Sequence, residues 1–565
     1  MLRVFAFAVF ALGCSEPPPE RDAGPPPDAA LPDADVDAAI PFAPDLVCPG
    51  MEGCLDEGDD LLLAGAAAVA ITPSLDDAEP LTVDVDGDGR YDPDDGDRYE
   101  DRNGNGLYDA IWIAGFGNGR AAQSVHDDQW ARALVLRQNE TTIAFVAVDA
   151  VGLFLDDGEP IREQAAAMGV DYVAVAATHG HEARDTIGIW GRTLDESGRD
   201  PAYMARIQEA AVQAIADSLA ELRVAQPQYG SVRLDAQPGG ILRYVSDTRD
   251  PQVIDPEVRI LRVAEPDGTT IGTLVNFGAH PEYWGSSNTA LSSDFPHWLR
   301  DGIENGVPRP DGTMRAGLGG TAVFINGAIG SQIGPGRVMQ QTDDGQSVPR
   351  REMESPATLG RQVAALVLDA LGPGGGSVSE ESARLAVRRH RFFLPIENRR
   401  YHIAFLQGLF VRDVYNYDQD RAINRFNTPE LLTEVAVIDV GRATMMTLPG
   451  ELDPALFLGG YDGAYAPEGV PVVDPSLENP PDLAAAPEGP YLRDLAREDA
   501  DQVWPLGLTG DFVGYLIPEF DFELDPGLPY IGEAPGDHYE ETNAIGERGW
   551  PLVRGRLTQL LRYAP

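Results

Sequence analysis

Two hydrophobic periods alternate along the body of the chain. TTIAFVAVDAVGLF (141–154) is a near-continuous apolar run, as expected of a strand buried on both faces. A helical stretch follows near Ile161–Met168, and DYVAVAATHGH returns to a short apolar run. Together they predict a β–α–β unit that ends in a histidine-bearing loop. Within 201–223, Met204, Ile207, Ala211, Ile215 and Leu219 fall on one helical face. Ser355-Pro356 predicts the N-cap and first turn of a helix that turns Leu359, Val363, Leu366 and Ala370 inward. TEVAVIDVGRATMMTLPGE predicts two strands around Gly441-Arg442. No internal repeat is found, and no linker-like stretch after residue 110 divides the pattern. The pattern predicts one large α/β domain over 48–565.

The N-terminus departs from that pattern. MLRVFAFAVFALGC carries one basic residue, Arg3, then an apolar run from Val4 to Gly13 that is too short to span a bilayer. It predicts a secretory signal over 1–14. Ala11-Leu12-Gly13-Cys14 resembles a lipoprotein cleavage box, which makes Cys14 a lipid-anchored residue; the other reading is a plain signal peptide with an incidental cysteine. Residues 15–47 are dominated by Pro, Ala and Asp and predict an extended tether. The localisation expected is export, either anchored at the outer membrane through Cys14 or secreted.

Composition narrows the function classes. The chain has 42 Lys+Arg against 91 Asp+Glu, a formal charge of −49. That surface repels phosphate backbones and anionic lipid, so nucleic acid is excluded as a partner and membrane contact is expected only through the N-terminal lipid. Of the three cysteines, Cys48 and Cys54 form a CPGMEGC pair. In an exported chain they predict a small disulfide loop; a metal site there lacks further ligands.

Residues 76–110 read as an acidic insertion. DVDGDGRYD (84–92) and DRNGNGLYD (101–109) each set oxygen side chains at positions 1, 3, 5 and 9 with Gly at 6. These are Asp84, Asp86, Asp88 and Asp92, then Asp101, Asn103, Asn105 and Asp109. Hard Ca²⁺ takes many oxygens from a tight loop, so both predict structural calcium sites. Neither has Glu at position 12, where Asp95 and Trp112 stand.

Histidines sit where strands run out. His179 and His181 follow Val173–Ala177, His280 ends TLVNFGAH, and Glu451 lies at an equivalent place in LPGEL. Alternating positions on an extended chain face one side, which would let His179 and His181 converge. Imidazole with carboxylate suits a Zn²⁺ that keeps an open position for water.

The order VHDDQWARALVL, AATHGHEARD, NFGAHP…LSSDFP, LPGEL and GLTGDFVGY resembles the neutral/alkaline (non-lysosomal) ceramidase family, and GAAAVAITP resembles that family's first strand. The resemblance runs from about residue 65 to the C-terminus. It implies a layered α/β catalytic domain with mixed sheets and flanking helices. It implies zinc ligands His179, His280, Glu451 and Tyr515. His181, Arg243 and Tyr539 match residues around the scissile amide. Two departures stand out. The family's serine segment reads NGAIGSQIGP here, with Gly334 at the serine position and Ser331 three residues early. The immunoglobulin-like domain common in the family is not recognisable after the Tyr539 motif. The function expected is a zinc-dependent hydrolase that cleaves the N-acyl amide of a ceramide-like or other N-acyl lipid through metal-activated water. The alternative is a non-catalytic, calcium-stabilised lipoprotein that keeps the fold as a binding scaffold.

Overall fold

Strands that are apolar on both faces must be covered on both, and three five-stranded sheets around a shared core do this here. The computed structural model describes residues 42–424, 426–497 and 500–563. The first sheet runs Tyr172–Ala177, Thr141–Val148, Trp130–Gln138, Leu62–Ala70, Arg223–Val224. The second runs Thr321–Asn326, Thr270–Phe277, Glu257–Ala264, Gln226–Arg233, Val378–Ser379. The third runs Leu46–Cys48, Leu385–Pro395, Glu430–Val440, Ala443–Thr447, Gln502–Leu506. Pro44–Pro565 is one compact unit.

The alternation along single strands explains the layering. Leu134 and Leu136 join the central core with Phe145, Leu274, Val323, Ile438 and Trp504. Their neighbours Ala133 and Val135 face the other way, onto Met204, Ile207, Ala211 and Ile215 of the helix Pro201–Ala220. The second sheet is covered in the same manner by the helices Phe295–Glu304 and Glu354–Leu371, which pack Leu299, Ile303, Leu359 and Val363 on Ile260, Val275 and Phe324.

Each sheet contains one parallel pair, and each pair ends in register: Val148 beside Ala177, Phe277 beside Asn326, and Thr447 beside Leu506. The candidate ligands leave from these carboxyl ends, the usual place for a site in open α/β sheets. The buried Asn326 side chain joins two of the ends. Its Nδ2 donates to Thr178 O (3.1 Å) and Ala279 O (3.0 Å), and its Oδ1 accepts from Ala279 N and Gly327 N (3.2 Å each). Its carbonyl accepts from Gly507 N at 2.9 Å, which brings in the third sheet.

Several expectations change in detail. The run 141–154 is a strand only to Val148, because Asp149 turns its carboxylate to Trp130 N and to Arg300. The helix that follows spans Leu155–Ala167. Ser355 is not an N-cap: the helix begins at Glu354, and the Ser355 hydroxyl donates to Gln340. The hairpin around Gly441-Arg442 forms as expected, with Gly441 at φ +52° and Val440 paired to Ala443. The signal segment 1–14 and most of the tether 15–47 lie outside the described residues. The tether's end at 47 is too late, because Leu46 and Val47 pair with Arg389 and Arg388 at the edge of the third sheet. Cys48 and Cys54 are bonded to each other, so neither thiolate is free for a metal.

Asn326→Leu keeps the branched side-chain skeleton but strands the Thr178 carbonyl and both Ala279 groups. An expected loss of roughly 2–5 kcal/mol, read as a lowered denaturant midpoint at constant m value, checks this role.

Candidate functional site

The first-sheet end supplies two histidines through a turn rather than through strand alternation. His179 has φ +68°, a left-handed conformation that is costly for a residue with a Cβ. Its N–H donates to Ala150 O, and its Nδ1 donates to Val151 O at 2.6 Å. That bond holds a proton on Nδ1 and turns Nε2 towards the site. His280, after the second-sheet pair, is held alike: Nδ1 lies 3.1 Å from Gln332 O. Both Nε2 atoms face one oxygen, Glu451 Oε2, at 3.4 Å from His179 and 3.1 Å from His280. Ring centroids of His179 stand 4.8 Å from those of both His181 and His280.

Glu451 and Tyr515 arrive together. Glu451–Leu452 pairs in parallel with Tyr515–Leu516, with Glu451 directly beside Tyr515. Backbones approach too closely there for side chains: a Cβ on Gly514 (φ +84°) would stand 2.0 Å from Asn543 O and 2.2 Å from Tyr401 Oη. The Tyr515 hydroxyl lies near Glu451, and burial with that carboxylate's charge pushes its pKa well up. All four expected zinc ligands therefore meet, each 7% exposed or less.

Electrostatics set this cluster apart from a satisfied core. Burial alone would raise Glu451, but His179 and His280 hold its carboxyl far below the usual range. Burial would lower His179, and the Glu451 charge raises it instead. His181 is pushed well down by burial and by the two neighbouring imidazoles. Both His181 nitrogens are buried with no hydrogen-bond partner. Gly115 (φ +101°) makes room for that ring, since a Cβ there would stand 2.5 Å from His181 Cγ.

The other expected residues divide. Tyr539 reaches the mouth: it is 48% exposed, its ring centroid is 6.1 Å from that of Tyr515, and burial and Glu451 push its hydroxyl up to about 12. Arg243 does not join them. It pairs with Asp343 at 2.9 Å, donates to Gln341 O and stacks over Tyr244. The guanidinium that does reach the histidines is buried Arg120, which donates to His181 O and Ala114 O and pairs with Glu182 at 3.4 Å. The serine position is closed: a Cβ on Gly334 would stand 2.3 Å from Tyr283 Cε2. Ser331 is fully buried, its hydroxyl has no hydrogen-bond partner, and its carbonyl accepts from Thr248 N and Oγ1.

Sequence reasoning missed Glu282. It is 3% exposed, with Oε2 at 3.2 Å from His181 Nδ1 and Oε1 without a partner. Burial, partly offset by His280 and His179, raises its pKa to about 7. Its position two residues after His280 was the available signal.

The two acidic loops fold alike. Asp84 accepts from Gly87 and Gly89 N–H, and Asp101 from Gly104 and Gly106. Asp86 and Asp88 accept from residues two further on, as do Asn103 and Asn105. Oxygens of Asp84, Asp86 and Asp88 lie within 4.8 Å of one another. Asp92 instead takes Asp94 N–H, and Asp109 accepts both the Asn103 and Asn105 amides at 2.7 Å.

A buried imidazole–carboxylate centre at the converging ends of three mixed sheets defines the class. No protein-family model matches the chain, and no curated protein does. Among solved structures, its fold matches a neutral ceramidase from Pseudomonas aeruginosa with TM-score 0.56 and 14% identity, over 89% of this chain and 74% of that one. A ceramidase complexed with C2 matches with TM-score 0.57 at the same identity and coverage. The chain has the fold of the neutral ceramidases, as the order of its motifs implied.

Gly334→Ser is expected to cost about 1–3 kcal/mol through the clash with Tyr283. A thermal melt checks the loss, and a Gly334→Ser protein that melted at the wild-type temperature would refute the closed position.

Proposed function

We propose that the chain is a zinc-dependent hydrolase of linear amides that cleaves the N-acyl bond of a ceramide-like or other N-acyl lipid. The observation that carries this reading is the convergence of the His179 and His280 Nε2 atoms on one buried carboxylate. Each ring's Nδ1 is held by a backbone carbonyl while its Nε2 points at the same carboxylate oxygen, an arrangement that suits two imidazoles and a carboxylate ligating one metal. Zinc suits two imidazoles, a carboxylate and a phenol, and His179, His280, Glu451 and Tyr515 would hold it. When bound, it supplies a Lewis acid and brings the pKa of water towards about 7.

The chain's own groups do the rest. His181 Nε2, buried and unpartnered, is placed to stabilise the oxyanion and to pass a proton to the leaving amine. Tyr539 offers its hydroxyl from the mouth. Water is the nucleophile in this reading, because Tyr283 occupies the space that a side chain at 334 needs. The N-acyl lipid class rests on the neighbours, which are named as ceramidases.

The same closure, with Arg243 tied to Asp343, is what favours the scaffold alternative. Turnover separates the two. Metal-replete protein is expected to hydrolyse a fluorogenic N-acyl sphingosine, to lose that activity with 1,10-phenanthroline, and to regain it with Zn²⁺. His181→Ala should lower kcat by about 10²–10³-fold with metal content unchanged. Full metal loading without turnover would leave the scaffold.

We also infer that the acidic loops hold structural Ca²⁺ and that Cys14 carries lipid after export. Among the described residues, no helix is long and apolar enough to cross a membrane. Ligand bound only to the folded state raises its stability. Calcium is therefore expected to raise the melting temperature of EGTA-treated protein, and an unchanged melt would remove the calcium assignment.

A further inference from the structure

The helix Arg399–Leu406 stands beside the mouth of the histidine centre, and its inward side is tied to the Tyr539 segment. Tyr401 Oη donates to Asn543 O at 2.6 Å, and Arg400 Nη1 donates to Thr542 Oγ1 at 3.2 Å. Asn398, the N-cap, donates from its side chain to Thr542 O and Ala544 O. Tyr401 Oη also fills the space that a Cβ on Gly514 would need, next to Tyr515.

The outward side is not what solvent selects. Ile403 and Leu406, one helical turn apart, are 46% and 85% exposed, and Val411 in the loop that follows is 55% exposed. Leu406 is the most exposed large apolar side chain among the described residues. Apolar side chains exposed singly are ordinary, but a group of them in one short segment beside a site marks a surface that is covered in use. Arg399 and Arg400 are exposed with them, and the helix carries no acid. Glu397, the acid just before it, is paired with Arg548.

Charge and position indicate the cover. Aliphatic side chains flanked by arginines, whose stems can lie along them, form the pattern of a helix that rests in the headgroup boundary of a lipid layer. Half-exposed Tyr539 suits the same boundary. The total charge of −49 repels an anionic surface, so the fit is to a zwitterionic one, whose phosphates meet Arg399 and Arg400 while its net charge is zero.

We propose that the face formed by Arg399, Arg400, Ile403, Leu406 and Val411 docks on a zwitterionic phospholipid surface and sets the mouth of the site against it. This rests on the N-acyl lipid reading above and adds to it a point of membrane contact separate from the N-terminal lipid. A substrate held in a bilayer then reaches the centre without its acyl chain crossing water.

The test uses the full chain with Cys14→Ser, so that no attached lipid contributes. Sedimentation with phosphatidylcholine vesicles gives a partition coefficient. The chain is expected to bind, and Ile403→Ser with Leu406→Ser to lower the coefficient about tenfold at an unchanged melting temperature. Met314→Ser is the control: Met314 is 59% exposed in a hairpin that carries none of the site's residues, and its loss is expected to change nothing. Absence of binding, equal binding by the double variant, or an equal fall in Met314→Ser overturns the proposal. Should the double variant abolish self-association yet keep its vesicle binding, the face belongs to a second copy and the proposal falls. Failure here is distinct from failure of the functional reading. The double variant is expected to lose about tenfold on vesicle-embedded N-acyl sphingosine relative to a short-chain N-acyl sphingosine in free solution. Turnover in free solution without vesicle binding keeps the hydrolase and removes the docking face. Vesicle binding without any turnover does the reverse.

Discussion

The amide of Asn326 is the interaction on which the site's geometry depends. Three sheets pack around a common core by hydrophobic burial, which is non-directional and does not by itself set their ends to a fraction of an ångström. Hydrogen bonds are directional and do. From one side chain, Asn326 ties Thr178, next to His179, to Ala279, next to His280. Its own carbonyl receives Gly507 N, and Leu508 N in turn donates to Gly450 O, the residue before Glu451. The three segments that carry His179, His280 and Glu451 are therefore each one residue from a bond in a single connected network. A buried polar network of this kind, fully satisfied, rigidifies the elements that it joins.

That network supports a strained residue. His179 occupies the left-handed region, and backbone bonds from Thr178, His179 and Gly180 to Val148 and Ala150 hold the turn. Strain of this sort persists only where the surroundings over-determine it. Here the turn, rather than strand alternation, brings the His179 and His181 rings to 4.8 Å. The carbonyls of Val151 and Gln332 then choose the tautomers, so that the backbone, rather than further side chains, decides which nitrogens are free.

The sequence was most informative where burial dictates pattern. The runs at 141–148 and 172–177, the helical face of 201–220 and the hairpin at 441–442 all follow from side-chain period and turn chemistry, and they placed His179, His280 and Glu451 at strand ends. Tyr515 needed the family resemblance, because its two-residue ladder with Glu451 has no periodic signature. Arg243 failed for a related reason. It sits in a loop whose course is set by Asp343 and Gln341, about one hundred residues away in sequence. Glu282 and Arg120 were overlooked because one charged residue in a loop looks solvated until the tertiary structure buries it. Tyr283 shows the converse case: it fills the space beside Gly334, so a missing side chain in one loop is matched by a bulky one in another.

Electrostatic cost links these features to stability. The carboxyls of Glu182, Glu282 and Asp294 are each raised chiefly by burial, to about 8, 7 and 7. A carboxylate whose folded pKa exceeds its unfolded value lowers stability above the unfolded pKa, and the loss is complete once pH passes the folded one. At neutral pH these groups therefore oppose folding, in a chain that already carries −49 charges. Arg120 offsets part of that for Glu182. The centre is thus poorly stabilised as an assembly of protein atoms alone. Its precise backbone is maintained by the Asn326 network and the glycine contacts around Gly514, while its side chains bring two imidazole nitrogens onto one buried carboxylate.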